Sequence, residues 1–361
     1  MRVFIMDTWA YPYRLPVFEC LHKQIEVEAF FSRLKPFDHR DSISMKGCSF
    51  RSYCGHWLFA LMPVHLLWRK YDVYMVGQIG VESVAGAFFT LLVSRLRRKP
   101  LILWTDYIQT TYYRKTKMIK RLLGDFIRKI FLGYCSAAIG FGSYTERYLK
   151  RVGRKGLPIF NIKQVVPETC YFSPSCEMKK MHYANKIVVL SVGYLRVGKG
   201  QDILIRTFKN MRRSDAVLVI AGSGVEEQKL KSLAGDSEHI QFVGHLEDEQ
   251  KAEYYAAADI FVLSTEHDTW GLVVNEAMHY GLPVIVTDAA GASELISDNG
   301  IVIQPGNEEM LRRALTRLIE NESLRKKMGE KSKTYISPYG VEYAAASFAR
   351  IIRQVNDRTA C

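Results

Sequence analysis

Seven residues separate an aspartate from a glutamate in the segment Asp268-Thr-Trp-Gly-Leu-Val-Val-Asn-Glu276. An apolar run before it predicts a buried strand, and the segment predicts a loop and then a helix that begins near Leu272. The first turn of such a helix presents N–H groups and a positive dipole end, which suit a phosphate. The Glu276 carboxylate lies about one turn inside, where it can accept hydrogen bonds from sugar hydroxyls. The pattern favours a nucleotide-sugar pocket, although such a glutamate can also simply complement the helix dipole.

Two glycine-containing loops follow other predicted strands of the same half. In the loop Val192–Gly200, Gly193 allows close backbone approach, and Arg196 and Lys199 offer positive charge to a diphosphate. A solvated lysine before a helix explains this loop about as well. The run Ala221-Gly222-Ser223-Gly224 resembles half of a dinucleotide fingerprint, but the third glycine is missing. We interpret it as a tight turn whose backbone faces the ligand.

Short apolar runs alternate with helical patterns in both halves, which predicts an α/β protein with βαβ units and mainly parallel sheets. The predicted strands are Arg2–Asp7, Ile25–Phe31, Asp72–Gly77, Pro100–Asp106, Ala137–Gly142, Ile187–Gly193, Ala216–Gly222, Ile240–Gly244, Asp259–Thr265, Pro283–Asp288 and Ile301–Gln304. Ligands of doubly wound domains lie outside the carboxyl ends of the strands. We predict a first domain at 1–172, a linker at 173–185, a second domain at 186–336 and a terminal helix at 337–361 that packs back on the first domain.

The composition is that of an ordinary globular protein, since 48% of the 361 residues are hydrophobic and 24% are charged. No apolar run reaches the roughly 18 residues of a membrane span, and the first residues predict a strand and no signal peptide. The seven cysteines contain no Cys-x-x-Cys pair, which argues against a disulfide scaffold and a zinc site. We expect reduced thiols in the cytoplasm.

Positive charge is concentrated in the first half of the chain. Residues 1–180 contain 29 Lys and Arg and 13 Asp and Glu, a net charge of +16, whereas residues 181–361 carry −3. The segment Tyr113–Leu132 is basic and amphipathic, with Met118, Leu122, Phe126 and Ile130 in one stripe. A core-facing helix is its plainest interpretation. Together with Arg95–Lys99, the charge favours an anionic membrane surface. No signature of nucleic-acid binding accompanies it, so no nucleic-acid partner is expected.

Taken as a set, the motifs of the second half resemble the donor-binding domain of retaining GT-B glycosyltransferases of the large family 4 type, the glycosyl transferases group 1. This family includes sucrose synthases and bacterial sugar transferases of cell-envelope glycans. The resemblance covers about residues 187–335 and rests on Gly193–Gly200, Ala221–Gly224, Asp268–Glu276, Gly281–Val286 and Gly291–Glu294. It implies two Rossmann-like domains that face a cleft, with the acceptor bound by residues 1–172 and the donor by 186–336; the first half matches only in layout.

The resemblance also implies roles for individual residues. Glu276 holds the ribose hydroxyls, Asp268 approaches hydroxyls of the transferred sugar, and Lys199 neutralises the leaving diphosphate. The other implied donor-binding residues are Gly193, Arg196, Gly222, Trp270, Gly271 and Leu272. Asp106, at a strand end of the first half, corresponds to a position of the family that orients the acceptor or accepts its proton, although a helix N-cap or turn residue explains it at least as well. There is no Asp-x-Asp motif, so neither a catalytic metal nor a cofactor is expected.

Three of the positions at which the chain departs from the family pattern lie at or beside the assigned residues. Asp268 stands where the family usually has glutamate, and Tyr194 where it has Arg or Lys, with Arg196 as a substitute two residues on. Thr105 replaces a histidine, so only Asp106 of a His-Asp pair carries over.

From these observations we predict a retaining sugar transfer from a nucleotide sugar to a glycan or lipid-linked acceptor. The expected location is the cytoplasmic face of the cell membrane, as a peripheral protein. Two alternatives stay open: a catalytically silent sugar-nucleotide-binding partner subunit, and a sugar-nucleotide epimerase.

Overall fold

The structure, a computed structural model, describes residues 1–9, 11, 13–33, 49–54, 61–77, 79, 83–106, 118–167, 182–183 and 185–360. These residues form two compact units. The first unit comprises the described residues up to Pro167 and a terminal helix, and the second comprises the described residues from 182 to Gly340. Of the predicted linker at 173–185, all but residues 182, 183 and 185 lie outside the described residues.

The first unit is built around a seven-stranded parallel sheet in the order β3-β2-β1-β4-β5-β6-β7. Its strands are β1 (Arg2–Trp9), β2 (Glu26–Arg33), β3 (Arg51–Cys54), β4 (Val73–Val76), β5 (Leu101–Thr105), β6 (Ala137–Phe141) and β7 (Ile159–Ile162). The helices between them are α1 (Leu15–His22), α2 (Met62–Trp68), α3 (Val84–Leu96), α4 (Met118–Tyr134) and α5 (Gly142–Val152).

Burial explains which of these strands the sequence predicted. Strands β4, β5 and β6 are buried at every position, as expected for parallel strands covered on both faces, and they read as continuous apolar runs. Strands β3 and β7 were not predicted. They form the two edges of the sheet, and β7 is only partly buried at three of its four positions. β3 lacks the apolar run on which the prediction relied, and the short apolar run of β7 is interrupted by Asn161.

The last helix, α12 (Val341–Ala360), belongs to the first unit. Its Phe348 ring lies 5.5 Å from the Trp104 ring and 6.3 Å from the Phe141 ring, between the ends of two strands of the first sheet. The prediction that the terminal helix packs back on the first domain is confirmed.

The second unit contains a six-stranded parallel sheet in the order β10-β9-β8-β11-β12-β13. Its strands are β8 (Ile187–Val192), β9 (Ala216–Ala221), β10 (Ile240–Gly244), β11 (Ile260–Leu263), β12 (Val284–Thr287) and β13 (Gly300–Ile303). Its α-helices are α6 (Gln201–Met211), α7 (Glu227–Ala234), α8 (Asp248–Ala257), α9 (Leu272–His279), α10 (Glu308–Glu320) and α11 (Glu322–Ile336). Separate apolar cores cover the two faces of this sheet. The predicted doubly wound arrangement is confirmed for both units.

The basic amphipathic segment forms α4 from Met118, and its residues 113–117 lie outside the described part. Ile127 and Ile130 pack against the core of the first unit, whereas Phe126 is 62% exposed. Phe126 and Ile130, which the sequence placed in one apolar stripe, therefore differ: Ile130 contacts the core and Phe126 is exposed to solvent. Within the described part of the chain, no helix combines the length and the apolar character that crossing a membrane requires.

Candidate functional site

The loop that carries Lys199 runs from β8 to α6 and is held against the loop that follows β11. The Ser264 hydroxyl donates to the Gly200 carbonyl (2.8 Å), and the Thr265 hydroxyl donates to the Gly198 carbonyl (3.0 Å). Gly200 has φ +71°, and a Cβ there would lie 1.9 Å from the Ser264 carbonyl oxygen. Only glycine fits this contact, so the two loops approach at backbone distance. This approach brings Lys199 to the start of the Asp268 segment.

Lys199 and Asp268 form an ion pair, with Nζ 2.5 Å from Oδ2. The side chains are only 14% and 17% exposed. Burial alone raises the pKa of the Asp268 carboxyl, but the charge and hydrogen bond of Lys199 lower that pKa below its usual value. Asp268 is therefore ionised at neutral pH, and it also accepts the Trp270 N–H at 3.3 Å. A lysine that neutralises an incoming diphosphate must share its charge with this carboxylate.

His267 was not singled out in the sequence and stands beside this pair. Its backbone N–H donates to the Thr265 hydroxyl at 3.1 Å. Burial lowers the pKa of the His267 imidazole, Asp268 raises it, and the positive charges of Lys199 and Arg196 lower it further, so the net direction is down. His267 is neutral at pH 7.

Helix α9 begins at Leu272, as the sequence predicts, with Gly271 as its N-cap at φ +96°. A Cβ at Gly271 would lie 2.8 Å from a methyl carbon of Leu263, which favours glycine there. The helix has no side-chain cap and no acidic residue in its first turn. The Trp270 indole is buried and donates to Asn275 at 2.8 Å, so this side chain is part of the core. The backbone at the amino end of α9 is what this turn can offer to an anion.

Glu276 is buried and already has two partners. The Tyr255 hydroxyl donates to Oε2 at 2.7 Å, and the Lys251 ammonium lies 3.1 Å from Oε1. Lys251 also contacts the Asp248 carboxylate at 2.9 Å. Burial lowers the pKa of Lys251, but the charges of Glu276 and Asp248 raise it more, so the ammonium stays protonated. Since a carboxylate has about four acceptor positions, Glu276 keeps capacity for two further hydroxyls.

Lys251 and Tyr255 are functional candidates that the sequence analysis missed. They stand four residues apart on α8, so they lie on the same face of that helix. The spacing of four residues between a lysine and a tyrosine was the feature of the sequence that could have identified them. Nothing in the spacing indicated that this face meets Glu276 of another helix.

Gly193 and Gly222 belong to neighbouring turns whose backbones touch. A Cβ at Gly222 would lie 1.9 Å from the Gly193 carbonyl oxygen. The Gly222 N–H donates to the Gly244 carbonyl at 2.6 Å, and the Gly193 N–H donates to Ala221 at 3.0 Å. Both glycines thus serve close backbone packing at the strand ends. Ala221 ends β9 and the turn lies at Val225 and Glu226, so the interpretation of Ala221–Gly224 as a turn whose backbone faces the ligand stays a prediction.

Asp106 belongs to the first unit, where it follows β5. Its carboxylate pairs with the buried Arg14, with Nη2 3.1 Å from Oδ2. The same guanidinium reaches the Asp7 carboxylate at 3.3 Å and lies over the Trp104 ring, 4.7 Å from its centroid. Arg14 was not predicted as a site residue. It fixes two carboxylates at the carboxyl ends of β1 and β5.

Sequence similarity to known proteins is concentrated in the second unit. The family model described as glycosyl transferases group 1 matches residues 177–335. An uncharacterized glycosyltransferase of Haemophilus influenzae is 33% identical over 162 residues, which are 43% of this chain and 45% of that protein. The GDP-mannose-dependent monoacylated alpha-(1-6)-phosphatidylinositol monomannoside mannosyltransferase of Corynebacterium glutamicum is 30% identical over 188 residues, 49% of each chain. The chain thus spans about half the length of these relatives.

Solved structures resemble the whole chain. Anabaena HepE, solved in complex with UDP, has a TM-score of 0.77 and 18% sequence identity, with 98% of this chain and 100% of that chain covered. Likeness at this identity concerns the fold, which is GT-B with two Rossmann-like domains.

Proposed function

Residues 177–335 form a domain of the glycosyl transferases group 1 family, and from this we infer that the whole chain transfers a sugar from a nucleotide-sugar donor to an acceptor with retention of configuration. The observation that carries the proposal is the set of groups in the second unit. Lys199 pairs with Asp268 in the turn before the uncapped helix α9, and Glu276 lies buried inside that helix.

The diphosphate of the donor would be held at the amino end of α9. Negative charge grows on the diphosphate as its bond to the sugar breaks, so groups fixed there stabilise the transition state more than the ground state. Lys199 and the first-turn N–H groups of α9 are such groups. Since they supply positive charge without a metal ion, we propose that transfer needs no metal and no other cofactor.

The two carboxylates would divide the hydroxyls of the donor between them. Glu276, oriented by Tyr255 and Lys251, would accept hydrogen bonds from the ribose. Asp268, ionised beside Lys199, would accept them from the transferred sugar. A carboxylate held by fixed partners needs no reorganisation when the substrate binds, which favours tight and oriented binding.

The acceptor would be a glycan or a lipid-linked glycan bound by the first unit, with Asp106 as its carboxylate. The mannosyltransferase relative from Corynebacterium glutamicum takes a phosphatidylinositol mannoside, as its name states. The excess of positive charge in residues 1–180 supports a location at the anionic cytoplasmic face of a membrane.

A panel of UDP-, GDP- and ADP-sugars tests the proposal, with turnover measured in the presence of EDTA and the anomeric configuration of the product determined by NMR. Glu276→Ala should lower kcat/KM by about 100-fold or more, because hydrogen bonds to a charged acceptor contribute about 1.5–3 kcal/mol each. Glu330→Ala, an exposed helical glutamate of the same unit, is the matched control and should retain activity. Full activity of Glu276→Ala would show the site assignment to be wrong.

Other outcomes of the same panel decide between the alternatives. A donor that binds without turnover favours a catalytically silent subunit. Two observations are consistent with that alternative: Lys199 is paired with Asp268, and the exposed Tyr194 stands where the family has Arg or Lys. Conversion of one nucleotide sugar into another without an acceptor identifies an epimerase. Loss of turnover in EDTA that Mg²⁺ restores contradicts metal-independent transfer.

A further inference from the structure

Helices α2 and α3 of the first unit expose large apolar side chains at helical spacing. At α2, Leu61 is 59%, Val64 is 56% and Trp68 is 86% exposed. On α3, Leu92 is 53% and Leu96 is 73% exposed. Residues three to four positions apart lie on one helix face, so each helix carries its own apolar stripe.

The two stripes lie on neighbouring helices. The helices pack on each other, and the Arg97 guanidinium at the end of α3 donates to the carbonyls of Leu67, at 2.8 Å, and of Arg69 at the end of α2. The carboxyl ends of both helices therefore lie side by side. Leu67, itself 60% exposed, and Leu96 stand at this junction. We call the exposed apolar side chains of these two helices the α2–α3 surface.

Exposed cations border this surface at the carboxyl ends of the two helices. They are Lys70, Arg95, Arg98 and Lys99. One acidic side chain, Asp72, lies 3.7 Å from Lys99. Cations at a helix carboxyl end also complement its dipole. That effect explains the position of the charges, but it gives no reason for exposed leucines and a tryptophan beside them.

We propose that the α2–α3 surface docks on an anionic lipid bilayer, with the apolar side chains at the level of the headgroups and the cations against lipid phosphates. Tryptophan next to Lys and Arg is typical of membrane–water interfaces. Interfaces between proteins are enriched in tryptophan and arginine as well, but they are depleted of lysine. The observations that favour an anionic bilayer over a protein partner are therefore Lys70 and Lys99 and the excess of four cations over the one neighbouring carboxylate of Asp72.

This inference rests on the membrane location in the proposed function, and it identifies the surface responsible. The sequence analysis assigned that contact to α4 and Arg95–Lys99. The apolar component, including Trp68, lies on α2 and α3. Arg95 stacks over the Tyr134 ring at 5.3 Å, which connects this surface to the end of α4.

Flotation of the full-length protein with vesicles tests the proposal. In 0.1 M NaCl the protein should float with phosphatidylcholine vesicles that contain about 30% phosphatidylglycerol, and much less with phosphatidylcholine alone. A variant with Leu67→Ser, Trp68→Ser and Leu96→Ser should lower the partition coefficient at least about tenfold, because apolar burial in the interface is lost. Val225→Ser, which removes an 89% exposed apolar side chain in the second unit, should bind like the wild type.

A charge variant provides an independent arm. Lys70→Gln, Arg98→Gln and Lys99→Gln together should weaken binding about 100-fold, since each cation near an anionic membrane contributes a factor of about five. The matched control removes the same kind of charge from α11 of the second unit, with Lys326→Gln and Lys327→Gln, and should bind normally. Thermal melts confirm that each variant is folded.

The outcomes separate this inference from the proposed sugar transfer. Wild-type binding that survives both triple substitutions would overturn the α2–α3 surface, and so would absence of wild-type binding. Dimerisation that only the apolar variant abolishes, without flotation, would replace the membrane with a second copy of the chain. Binding of the nucleoside diphosphate without vesicles, measured by calorimetric titration, should be equal in wild type and both variants; its absence in all three would count against the proposed function alone.

Discussion

The Lys251–Glu276 pair offers the sharpest test of how the proposed donor site is built. Lys251→Met keeps most of the length of the side chain and removes its charge. The structure places the ammonium 3.1 Å from Glu276 and 2.9 Å from Asp248, and the Lys251 and Glu276 side chains are 18% and 11% exposed. The substitution therefore leaves a buried carboxylate with the Tyr255 hydroxyl as its remaining partner among the contacts described here.

The expected loss follows from burial. Removing one partner of a buried ion pair costs about 3–5 kcal/mol, because the other charge stays desolvated. The hydrogen bond from Tyr255 and the residual exposure reduce that value, so the free energy of unfolding should fall by about 2–3 kcal/mol. For a unit of this size the melting temperature should fall by about 5–10 °C. Lys229→Met removes a lysine that is 72% exposed and pairs with Glu226, and it should leave the melting temperature unchanged.

The second effect is on nucleotide recognition. Calorimetric titration should compare the nucleoside diphosphate that the wild type binds best with its 2′- and 3′-deoxy analogues. The wild type should prefer the ribonucleotide by about 10-fold or more, because Glu276 accepts from the hydroxyls. Lys251→Met should reduce this preference, and Lys251→Arg should restore part of it. Unchanged stability together with an unchanged preference in Lys251→Met would refute the reasoning.

Three further predictions concern other parts of the second unit. Gly222→Ala should lower the free energy of unfolding by more than about 2 kcal/mol in urea titrations, since its Cβ would lie 1.9 Å from the Gly193 carbonyl, whereas Gly244→Ala, with no atom within 4 Å, should cost less. Asp268→Asn should bind the nucleoside diphosphate more tightly by about tenfold in calorimetric titrations yet transfer sugar more slowly, because Lys199 no longer shares its charge; weaker binding would contradict this. Where the pKa of a group is lower in the folded state, the unfolded chain binds more protons. The free energy of unfolding should therefore fall as the pH drops below 6.5 toward the lowered pKa of His267. In His267→Asn this fall should be shallower.

The fold was largely predictable because parallel strands buried on both faces leave a direct record in the sequence. Runs such as Leu101–Trp104 and Ile260–Leu263 are apolar throughout and form strands in the structure. The start of α9 at Leu272 was also predictable, since Gly271 marks a left-handed N-cap. The strand Arg51–Cys54 was missed, because its sequence Arg-Ser-Tyr-Cys has no apolar run and it pairs along one edge only.

The candidate site was predictable as a set of positions and much less as a set of contacts. Loop and helix patterns identified Lys199, Asp268 and Glu276, since each stands at a fixed place relative to a strand end. Their partners depend on which helix packs beside which loop. Lys251 reaches Glu276 from a helix 25 positions earlier, and Arg14 reaches Asp106 across 92 positions. No local period records such distances, so tertiary packing alone reveals these pairs.

The pairing of carboxylates with cations, which the sequence did not reveal, changes the electrostatic argument for the donor site. Each carboxylate assigned a role, Asp268, Glu276 and Asp106, is paired with a buried or partly buried cation. In the second unit the charges of Lys199 and Lys251 are largely offset by the carboxylates they contact. A diphosphate would then be held by short-range contacts with fixed N–H groups and one shared ammonium, and not by a strong positive field. Contacts of that kind are screened little by salt, so donor affinity should depend weakly on ionic strength, in contrast to binding of the basic first unit to anionic vesicles.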